Sequence, residues 1–420
     1  MSKQASFFSK NNASVASPAP ARFAPAALLL VSALTLLSSG CGGPAYVAYA
    51  PPPCYGYGCG YGYGYGYIST FAGSGVDGNS GNGSAAVKAQ LSQPVAITVD
   101  HAGNLYIADR ASNTVREVVS ATGIINNVLS APASSGGSVT PLAVNVAVTP
   151  HFNQPSAVAI DASGNVDVLD QATNTVRRIS TSTGAVTVLA GNAAGLSGYS
   201  GDNGQAINAK LNQPAGMAFD PSGNLFIADT GNQRIRKVDA STGIITTVAG
   251  TGNAGYTGDG ALAVAAQLSH PAAVAADSQG NLFIADSGNA AIRKVDVHTG
   301  MISTIAGTGI VGFSGDNAAA VAAKLNQPLG ITVDAHDNLF ITDTGNQRIR
   351  EVTANSAVIS TVAGGNNQGY SGDGGPSSLA TLNQPYATAI DASGNLYIAD
   401  SGNGVIRKVL PNPQTTQKAN

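Results

Sequence analysis

The sequence predicts an all-β protein, a six-bladed β-propeller of four-stranded antiparallel blades, and three observations lead to this prediction. First, one unit recurs six times, and its opening proline returns every 57 to 61 residues. Second, a full unit holds four short runs rich in β-branched and aromatic residues, bounded by Gly, Asn, Asp and Ser. Third, the last unit lacks its fourth run, whereas a run of that kind stands alone ahead of the first unit. The opening prolines are Pro94, Pro155, Pro214, Pro271, Pro328 and Pro385.

The third unit shows how each strand of a blade is recognised. Its first run, 211–220, contains the opening proline, which cannot donate to a strand ladder and therefore fits where a strand starts. The second run, 225–229, follows a Ser-Gly-Asn turn, in which Gly and Asn tolerate the positive φ of tight turns. The third run, 234–238, and the fourth, 244–250, each follow a Gly-containing turn. These runs predict strands a, b, c and d in chain order.

The isolated run at residues 68–73 predicts how the ring closes. Its sequence, Ile-Ser-Thr-Phe-Ala-Gly, matches the fourth runs at 245–250 and 302–307. As strand d of the sixth blade it would leave no exposed sheet edge. Blades stacked around a ring cover each other's faces, and each fully buried Ile, Val, Leu or Phe contributes roughly 1.5–3 kcal/mol. We therefore expect a propeller over residues 68–410 and a tail at 411–420.

Residues 1–40 have the pattern of a secretory signal peptide. Basic residues precede an apolar run at 26–37, which has the length of a signal h-region and is short for a membrane-spanning helix. The run ends in Ser-Ser-Gly-Cys41, which resembles the lipobox of bacterial lipoproteins, where the cysteine carries the lipid. Ser38 stands where that motif prefers Leu, so secretion without a lipid stays an alternative. We expect export to the periplasm or cell surface, with a lipid at Cys41 as the membrane anchor.

Residues 41–67 are rich in alternating Gly and Tyr and predict a tether that builds no core. Cys54 and Cys59 lie within it, and three states stay open for them: a local disulfide, free thiols or part of a metal clip.

Composition limits the classes of partner. Charged residues make up only 10% of the chain, against about 25% in an ordinary soluble domain. The net charge is −3 and no basic run is present, so the sequence gives no support for nucleic-acid binding. We expect a monomeric ring that needs no cofactor, with a divalent cation as the one possible ion.

The unit Asp-x-x-Gly-Asn-Leu-Phe-Ile-Ala-Asp-x-Gly-Asn-Gln-Arg-Ile-Arg-Lys-Val resembles the NHL repeat. The resemblance covers the six units in register, although Gln233 and Gln347 stand where the family often has His. It implies a six-bladed propeller used mostly for binding, and some members of the wider superfamily are metal-dependent lactonases or lyases. The clearest copies are residues 220–238, 277–295, 334–352 and 391–409.

An aspartate ends strand b in every unit, and an arginine follows seven residues later. Across a b–c hairpin this spacing brings the two side chains to near-diagonal positions, which predicts a structural ion pair or an Asp that caps its own turn. The alternative is a ring of carboxylates that binds a cation. A second aspartate before each a–b turn is interpreted as a turn cap. The strand-b pairs are Asp109 and Arg116, Asp170 and Arg177, Asp229 and Arg236, Asp286 and Arg293, Asp343 and Arg350, and Asp400 and Arg407.

Four connections from strand d to the next strand a carry an aromatic residue, Ser or Thr, Gly and Asp, followed by an Ala-rich stretch that predicts one or two helical turns. In a propeller these connections share a face with the b–c turns, and loops on a rigid scaffold often carry recognition. An aromatic ring beside a carboxylate can bind a cation or a sugar; the alternative is an Asx-turn with the ring packed under the helical turn. His270, which replaces Gln in the fourth unit, marks a departure on the same face. The candidate ligand-binding residues are therefore Tyr199, Asp202, Tyr256, Asp259, Phe313, Asp316, Tyr370, Asp373 and His270.

These residues lead to a leading function and two alternatives. The leading one is an exported propeller that binds a protein or glycan of the cell envelope through its d–a and b–c loops and does no chemistry. The first alternative is a metal-dependent lactonase or lyase of the gluconolactonase type. The near-identity of the blades argues against it, since an asymmetric substrate needs asymmetric ligands, and the five histidines fall in different contexts. The second alternative is a subunit of a larger envelope assembly.

Overall fold

The computed structural model describes residues 65–128, 151–365 and 367–411. They form six antiparallel sheets, and the innermost strands of successive blades contact one another around the whole ring. The predicted fold class, an all-β six-bladed propeller of four-stranded blades, is therefore confirmed. The signal peptide, the lipidation of Cys41 and the pairing of Cys54 with Cys59 concern residues outside the described part of the chain. Within that part, none of the helices has the length and apolar character needed to cross a bilayer.

Each blade contains strands a to d in order from the centre of the ring outward. Strand a spans, in blade order, Pro94–Val99, Pro155–Ile160, Gly216–Phe219, Pro271–Ala276, Pro328–Val333 and Pro385–Ile390. Strand b spans Leu105–Asp109, Val166–Asp170, Leu225–Asp229, Leu282–Asp286, Leu339–Asp343 and Leu396–Asp400. Strand c spans Thr114–Val119, Thr175–Ile179, Arg234–Val238, Ala291–Val295, Arg348–Val352 and Val405–Pro411. Strand d of the first five blades spans Ile124–Asn127, Val186–Ala190, Ile244–Ala249, Ile302–Ala306 and Val358–Ala363.

The N-terminal strand, Tyr65–Ala72, supplies strand d of the sixth blade. It pairs antiparallel with strand c of that blade, Val405–Pro411, so the predicted closure of the ring is confirmed. The strand begins at Tyr65 rather than Ile68, because pairing continues until Tyr65 lies opposite Pro411. Three residues assigned to the tether and the first residue of the predicted tail therefore belong to the sheet.

The d–a connections pass along the outer edge of the next blade before they reach the centre. In three blades they add a two-residue strand beside strand d, at Ser84–Ala85, Gly204–Gln205 and Ala318–Ala319. A single 3-10 turn follows, at the lower end of the predicted one or two helical turns, because the next residue is already extended and leads the chain inward. These turns are Ala86–Lys88, Ala206–Asn208, Ala263–Ala265, Ala320–Ala322 and Ser377–Leu379.

The core lies between blades. One cluster joins Ala285 and Ile292 of the fourth blade to Ile341 and Ile359 of the fifth, all fully buried. Others join the other neighbouring blades in the same way, the sixth to the first included. Stability therefore comes from the interfaces around the ring, as expected for a repeat that cannot cover its own faces.

Hydrogen bonds show which loops share a face. In the third blade the b–c connection forms a 3-10 turn, Thr230–Asn232, and the amide of Gly231 donates to the carbonyl of Asn212 in the d–a connection at 2.8 Å. On the opposite side, Oδ1 of Asn224 in the a–b turn accepts from the amide of Ala240 in the c–d turn at 3.0 Å. We call the side formed by the d–a and b–c connections the loop face. The other b–c turns of this kind are Ser287–Asn289, Thr344–Asn346 and Ser401–Asn403.

The aspartates before the a–b turns cap those turns, as interpreted from the sequence. Oδ1 of Asp220 accepts from the amides of Ser222 and Asn224 at 2.9 Å, and Oδ2 accepts from the Asn224 side chain at 2.8 Å. The carboxylate thereby satisfies the donors of the turn.

Candidate binding site on the loop face

A buried arginine of strand c organises the outer part of the third to sixth blades. The side chain of Arg236 is fully buried, and its guanidinium donates to Asp229 at 3.2 Å and to Asp202 at 2.7 Å. The strand-b aspartate is thus one partner, and the aspartate of the d–a connection is the other. The equivalent groups are Arg293 with Asp286 and Asp259, Arg350 with Asp343 and Asp316, and Arg407 with Asp400 and Asp373.

The two aspartates of a cluster lie in different electrostatic surroundings. Burial raises the pKa of the strand-b carboxyls Asp343 and Asp400 to about 6, although hydrogen bonds and the arginine act in the opposite direction. Burial would also raise the pKa of Asp202, but hydrogen bonds from Tyr199 and Thr247, together with Arg236, outweigh it and lower that pKa. Burial raises the pKa of Asp229, the strand-b carboxyl of the third blade, so the outer carboxylate Asp202 is the more readily ionised partner of Arg236.

The first and second blades depart from this pattern. In the first, Asn82 takes the place of the outer aspartate and accepts from Arg116 at 2.8 Å. Asp109 takes its hydrogen bonds from the Ser92 amide and the Ser112 hydroxyl, each at 2.7 Å, rather than from Arg116. The predicted Asp109–Arg116 bond is thus replaced, because the neutral Asn82 and backbone carbonyls hold the guanidinium. In the second blade Arg177 lies 3.6 Å from Asp170 and is 22% exposed.

The four aromatic rings of the d–a connections lie against guanidinium groups rather than under the helical turn. The ring centre of Tyr199 is 3.7 Å from Arg234 and 4.9 Å from Arg236, and its hydroxyl donates to Asp202 at 2.7 Å. Oδ2 of Asp202 also accepts from Thr247 in strand d at 2.7 Å. A cation at this carboxylate would have to displace an arginine. The other rings stack on Arg293 from Tyr256, on Arg348 and Arg350 from Phe313, and on Arg407 from Tyr370.

These rings remain 40% to 50% exposed at the outer edge of their blades. Their stacking on arginine, together with the hydroxyl hydrogen bonds of Tyr199, Tyr256 and Tyr370, fixes each d–a connection to the outer edge of the blade that follows it. A sugar-binding role for the outer rings and carboxylates stays a prediction.

A second set of residues surrounds the mouth of the central channel. The residue before each strand-a proline is exposed, and all six have a positive φ, from 45° to 60°. Strand a is innermost and begins on the loop face, so these side chains lie at the inner rim of that face. We call them the mouth residues: Gln93, Gln154, Gln213, His270, Gln327 and Gln384.

The preceding blade holds the backbone of most mouth residues in this unusual conformation. The amide of Gln213 donates to Asn174 at 2.7 Å, and that of His270 donates to Gln233 at 2.6 Å. A left-handed backbone is uncommon for a residue that is not glycine and persists where the surroundings enforce it. These bonds use the main chain and leave the mouth side chains directed at solvent. Asn113 bonds the amide of Gln154 in the same way, and Gln347 bonds that of Gln384. At the two remaining junctions, the methyl group of Ala290 and the missing side chain of Gly404 offer no acceptor to Gln327 and Gln93.

A larger and a smaller cavity open on the loop face, each between mouth residues of successive blades. The larger has a volume of 540 Å³, which is within the size range of small-ligand sites. The smaller, of 250 Å³, adds apolar surface from Leu329 and Tyr386 to Gln327 and Gln384. The larger is lined mainly by polar side chains, among them Arg110, Gln154, Gln171, Asn174, Asn212 and Gln213.

Of the residues around the mouth, the sequence analysis singled out only His270. The glutamine before each proline was visible, but its positive φ was not. Arg110 could have been found, because the third to sixth blades carry Thr or Ser at its position: Thr230, Ser287, Thr344 and Ser401.

A metal centre was one sequence-based alternative. Among residues 65–128, 151–365 and 367–411, no three His, Cys, Asp or Glu side chains are grouped to hold one ion. Metal-dependent lactonase activity stays a prediction, and metal analysis of the purified protein is its direct test.

Comparison with protein families supports the assigned repeats. Residues 193–257 and 251–313 match the teneurin NHL domain, and residues 325–351 match the NHL repeat. Protein SUPPRESSOR OF QUENCHING 1 of Arabidopsis thaliana is 29% identical over 245 residues, which are 57% of this chain and 23% of that protein. NHL repeat-containing protein 2 of Bos taurus is 33% identical over 160 residues, 36% of this chain and 22% of that protein. The chain thus matches less than a quarter of each relative's length.

Solved structures share the fold at low sequence identity. A protein of unknown function from Bacteroides thetaiotaomicron superposes with a TM-score of 0.61 and 19% identity, over 82% of this chain and 75% of that one. An auxiliary nutrient binding protein from Bacteroides ovatus gives a TM-score of 0.58 and 17% identity, over 84% and 78%. Together with the sequence matches, these likenesses show that the chain carries NHL repeats folded as a six-bladed propeller.

Proposed function

We propose that this protein is a binding propeller of the bacterial cell envelope, which holds a protein or glycan on its loop face without chemical change. The observation that carries the proposal is the ring of exposed polar side chains around the channel mouth, next to an amide-lined cavity of 540 Å³. Propeller folds host many functions, so this site, and not the fold, indicates the function.

The chemistry of the mouth suits a ligand rich in hydroxyl or peptide groups. A primary amide both donates and accepts, and five of the six mouth residues carry one. The backbone of these residues is fixed by the preceding blade before any ligand arrives, as for Gln213 and His270. Binding groups that are ordered in advance lose less conformational entropy on association.

The envelope location is the part of the proposal that rests on the N-terminal sequence. A signal peptide over residues 1–40 and a lipid at Cys41 would place the propeller outside the cytoplasm. The Bacteroides ovatus protein, named for auxiliary nutrient binding, shares the fold and is consistent with a binding role. Radiolabelled palmitate incorporation, compared between the natural chain and Cys41→Ser, tests the anchor; equal labelling of the two would contradict it.

The binding face is tested with the full chain and two matched variants. The natural protein captures a ligand from envelope extract, the ligand is identified and purified, and its affinity is measured by calorimetry. We expect Gln154→Ala with Gln213→Ala to weaken binding by about tenfold or more. His336→Ala, an exposed change on the opposite face, is the control and should leave binding unchanged. Loss of ligand binding in His336→Ala alone would show that the ligand binds the opposite face, and this result would contradict the proposal.

A further inference from the structure

We infer that the cavity around Arg110 binds a carboxylate-bearing saccharide, of the chemical class of the hexuronic acids. This inference rests on the proposed function and specifies the ligand for one sector of the loop face, between the first and third blades.

Arg110 is a cation whose hydrogen-bond partners are neutral. Its Nη2 donates to the amide oxygen of Gln171 and lies 3.5 Å from that of Gln154. In the part of the chain that the structure describes, no ion pair includes Arg110. Arg236 and its equivalents, by contrast, each contact two carboxylates. Arg110 therefore offers a positive charge at the wall of a cavity, with a planar donor group that matches a carboxylate.

The amides around Arg110 make the cavity rich in donors. Because the oxygens of Gln154 and Gln171 face the guanidinium, their NH₂ groups are directed away from it. Gln213 also lines the cavity, and its backbone amide donates to Asn174. An acceptor-rich anion with several hydroxyl groups satisfies this arrangement, and the volume of 540 Å³ accommodates one or more sugar rings.

The repeat itself shows that Arg110 is not needed to hold a blade. At the equivalent position the hydroxyls of Thr230 and Thr344 donate to the proline carbonyl of the next blade at 2.7 Å. The fourth and sixth blades carry Ser287 and Ser401, for which the described part of the chain shows no such bond, so a blade does not require this contact. The first and second blades carry Arg110 and Gln171 at this position. Both replacements line the same cavity. Two long polar side chains thus stand at a position that is otherwise Thr or Ser, and both converge on one cavity, which is the arrangement expected of a ligand site.

The test is calorimetric titration of the full chain with three probes: a short oligouronate, a neutral oligosaccharide of the same length, and inorganic phosphate. We expect the oligouronate to bind at least about tenfold more tightly than the other two. Arg110→Ser, which gives the first blade the residue of the fourth and sixth, should remove that preference. His336→Ala, on the opposite face, is the control and should retain it.

Other outcomes separate this inference from the proposed function. Equal affinity for the neutral oligosaccharide, tighter binding of phosphate, or an unchanged oligouronate affinity in Arg110→Ser would each overturn the carboxylate assignment. If the Gln154→Ala, Gln213→Ala variant still fails to bind the envelope ligand, the loop-face function holds although the carboxylate assignment is wrong. Arg110→Lys keeps the positive charge but lacks the planar guanidinium, so it should weaken oligouronate binding less than Arg110→Ser. Thermal unfolding of both variants shows whether the fold is intact.

Discussion

The outer edge of the ring and its inner mouth use repetition in different ways. At the edge, Arg236 and its equivalents bind two aspartates each, and in the third blade the Tyr199 hydroxyl and Thr247 also bond the outer aspartate. At the mouth, the backbone geometry repeats six times, while the side chains face solvent and differ at His270 and around Arg110. A repeated residue that is bonded within its blade therefore stabilises that blade, whereas a repeated backbone conformation presents exposed side chains to a ligand.

Removal of the closing strand is expected to have the largest effect on stability. Deleting residues 65–72 leaves strand c of the sixth blade, Val405–Pro411, as an open edge and exposes the pocket of the fully buried Ile68. Exposed edges pair with other chains, so we expect loss of the cooperative unfolding transition and aggregation. Light scattering and thermal denaturation measure both. A monomeric deletion variant with the natural melting temperature would show that the ring does not depend on this strand.

The next largest effect is expected from Arg236→Ala. This change leaves Asp229 buried without its cation, and breaking a buried pair in this way costs about 3–5 kcal/mol of unfolding free energy. Urea denaturation measures the loss. Lys237→Ala on the same strand is the control: its ion pair with Asp239 spans 3.9 Å and is partly exposed, so we expect a change below about 1 kcal/mol. Similar losses in the two variants would contradict a special role for the buried cluster.

The first blade allows a test by pH. Burial raises the pKa of Asp109 to about 7, whereas a carboxyl in an unfolded chain titrates near 3.9. Its contribution to stability is therefore complete below about pH 4 and is lost as the pH rises through 7. The unfolding free energy of the natural protein should therefore fall between about pH 4 and pH 7. In Asp109→Asn this fall should be less steep, by up to about 1.4 kcal/mol per pH unit. Parallel pH profiles for the two proteins would show that Asp109 does not titrate there.

The smallest expected stability effect comes from the contacts that fix the mouth. Gln347→Ala removes the acceptor for the amide of Gln384 and makes this junction resemble the one at Ala290. One such hydrogen bond contributes about 1 kcal/mol. Chemical denaturation should show that loss, and the exposed Gln279→Ala on the opposite face should show less than half of it. If ligand binding also weakens in Gln347→Ala, the ordered backbone matters for recognition as well as for the fold.

The ring could be predicted because its determinants are local and repeated. The strand runs, the turn glycines and the displaced run at 68–73 establish six blades and their closure. The earlier start at Tyr65 could not be predicted, since the alternating Gly and Tyr resemble a linker and only the partner strand shows where pairing stops.

The site was harder to predict, because its contacts join residues that are distant in sequence. Tyr199 stacks on Arg234, and Asp202 bonds Arg236 across 34 residues. Four of the six mouth residues also have their backbone bonded by a side chain of the preceding blade, such as Asn174 for Gln213. Glutamine has no intrinsic preference for that conformation, so a pattern of residue types alone does not reveal it.

The sixth blade is assembled from both ends of the described chain, and this arrangement decides how the ring responds to force. Tyr65 and Pro411 oppose each other at one end of the sheet, so tension on the two ends reaches this pair first. Antiparallel strands loaded in this direction separate like a zipper, one rung at a time. We expect single-molecule stretching to open the sixth blade at low force, before the other five.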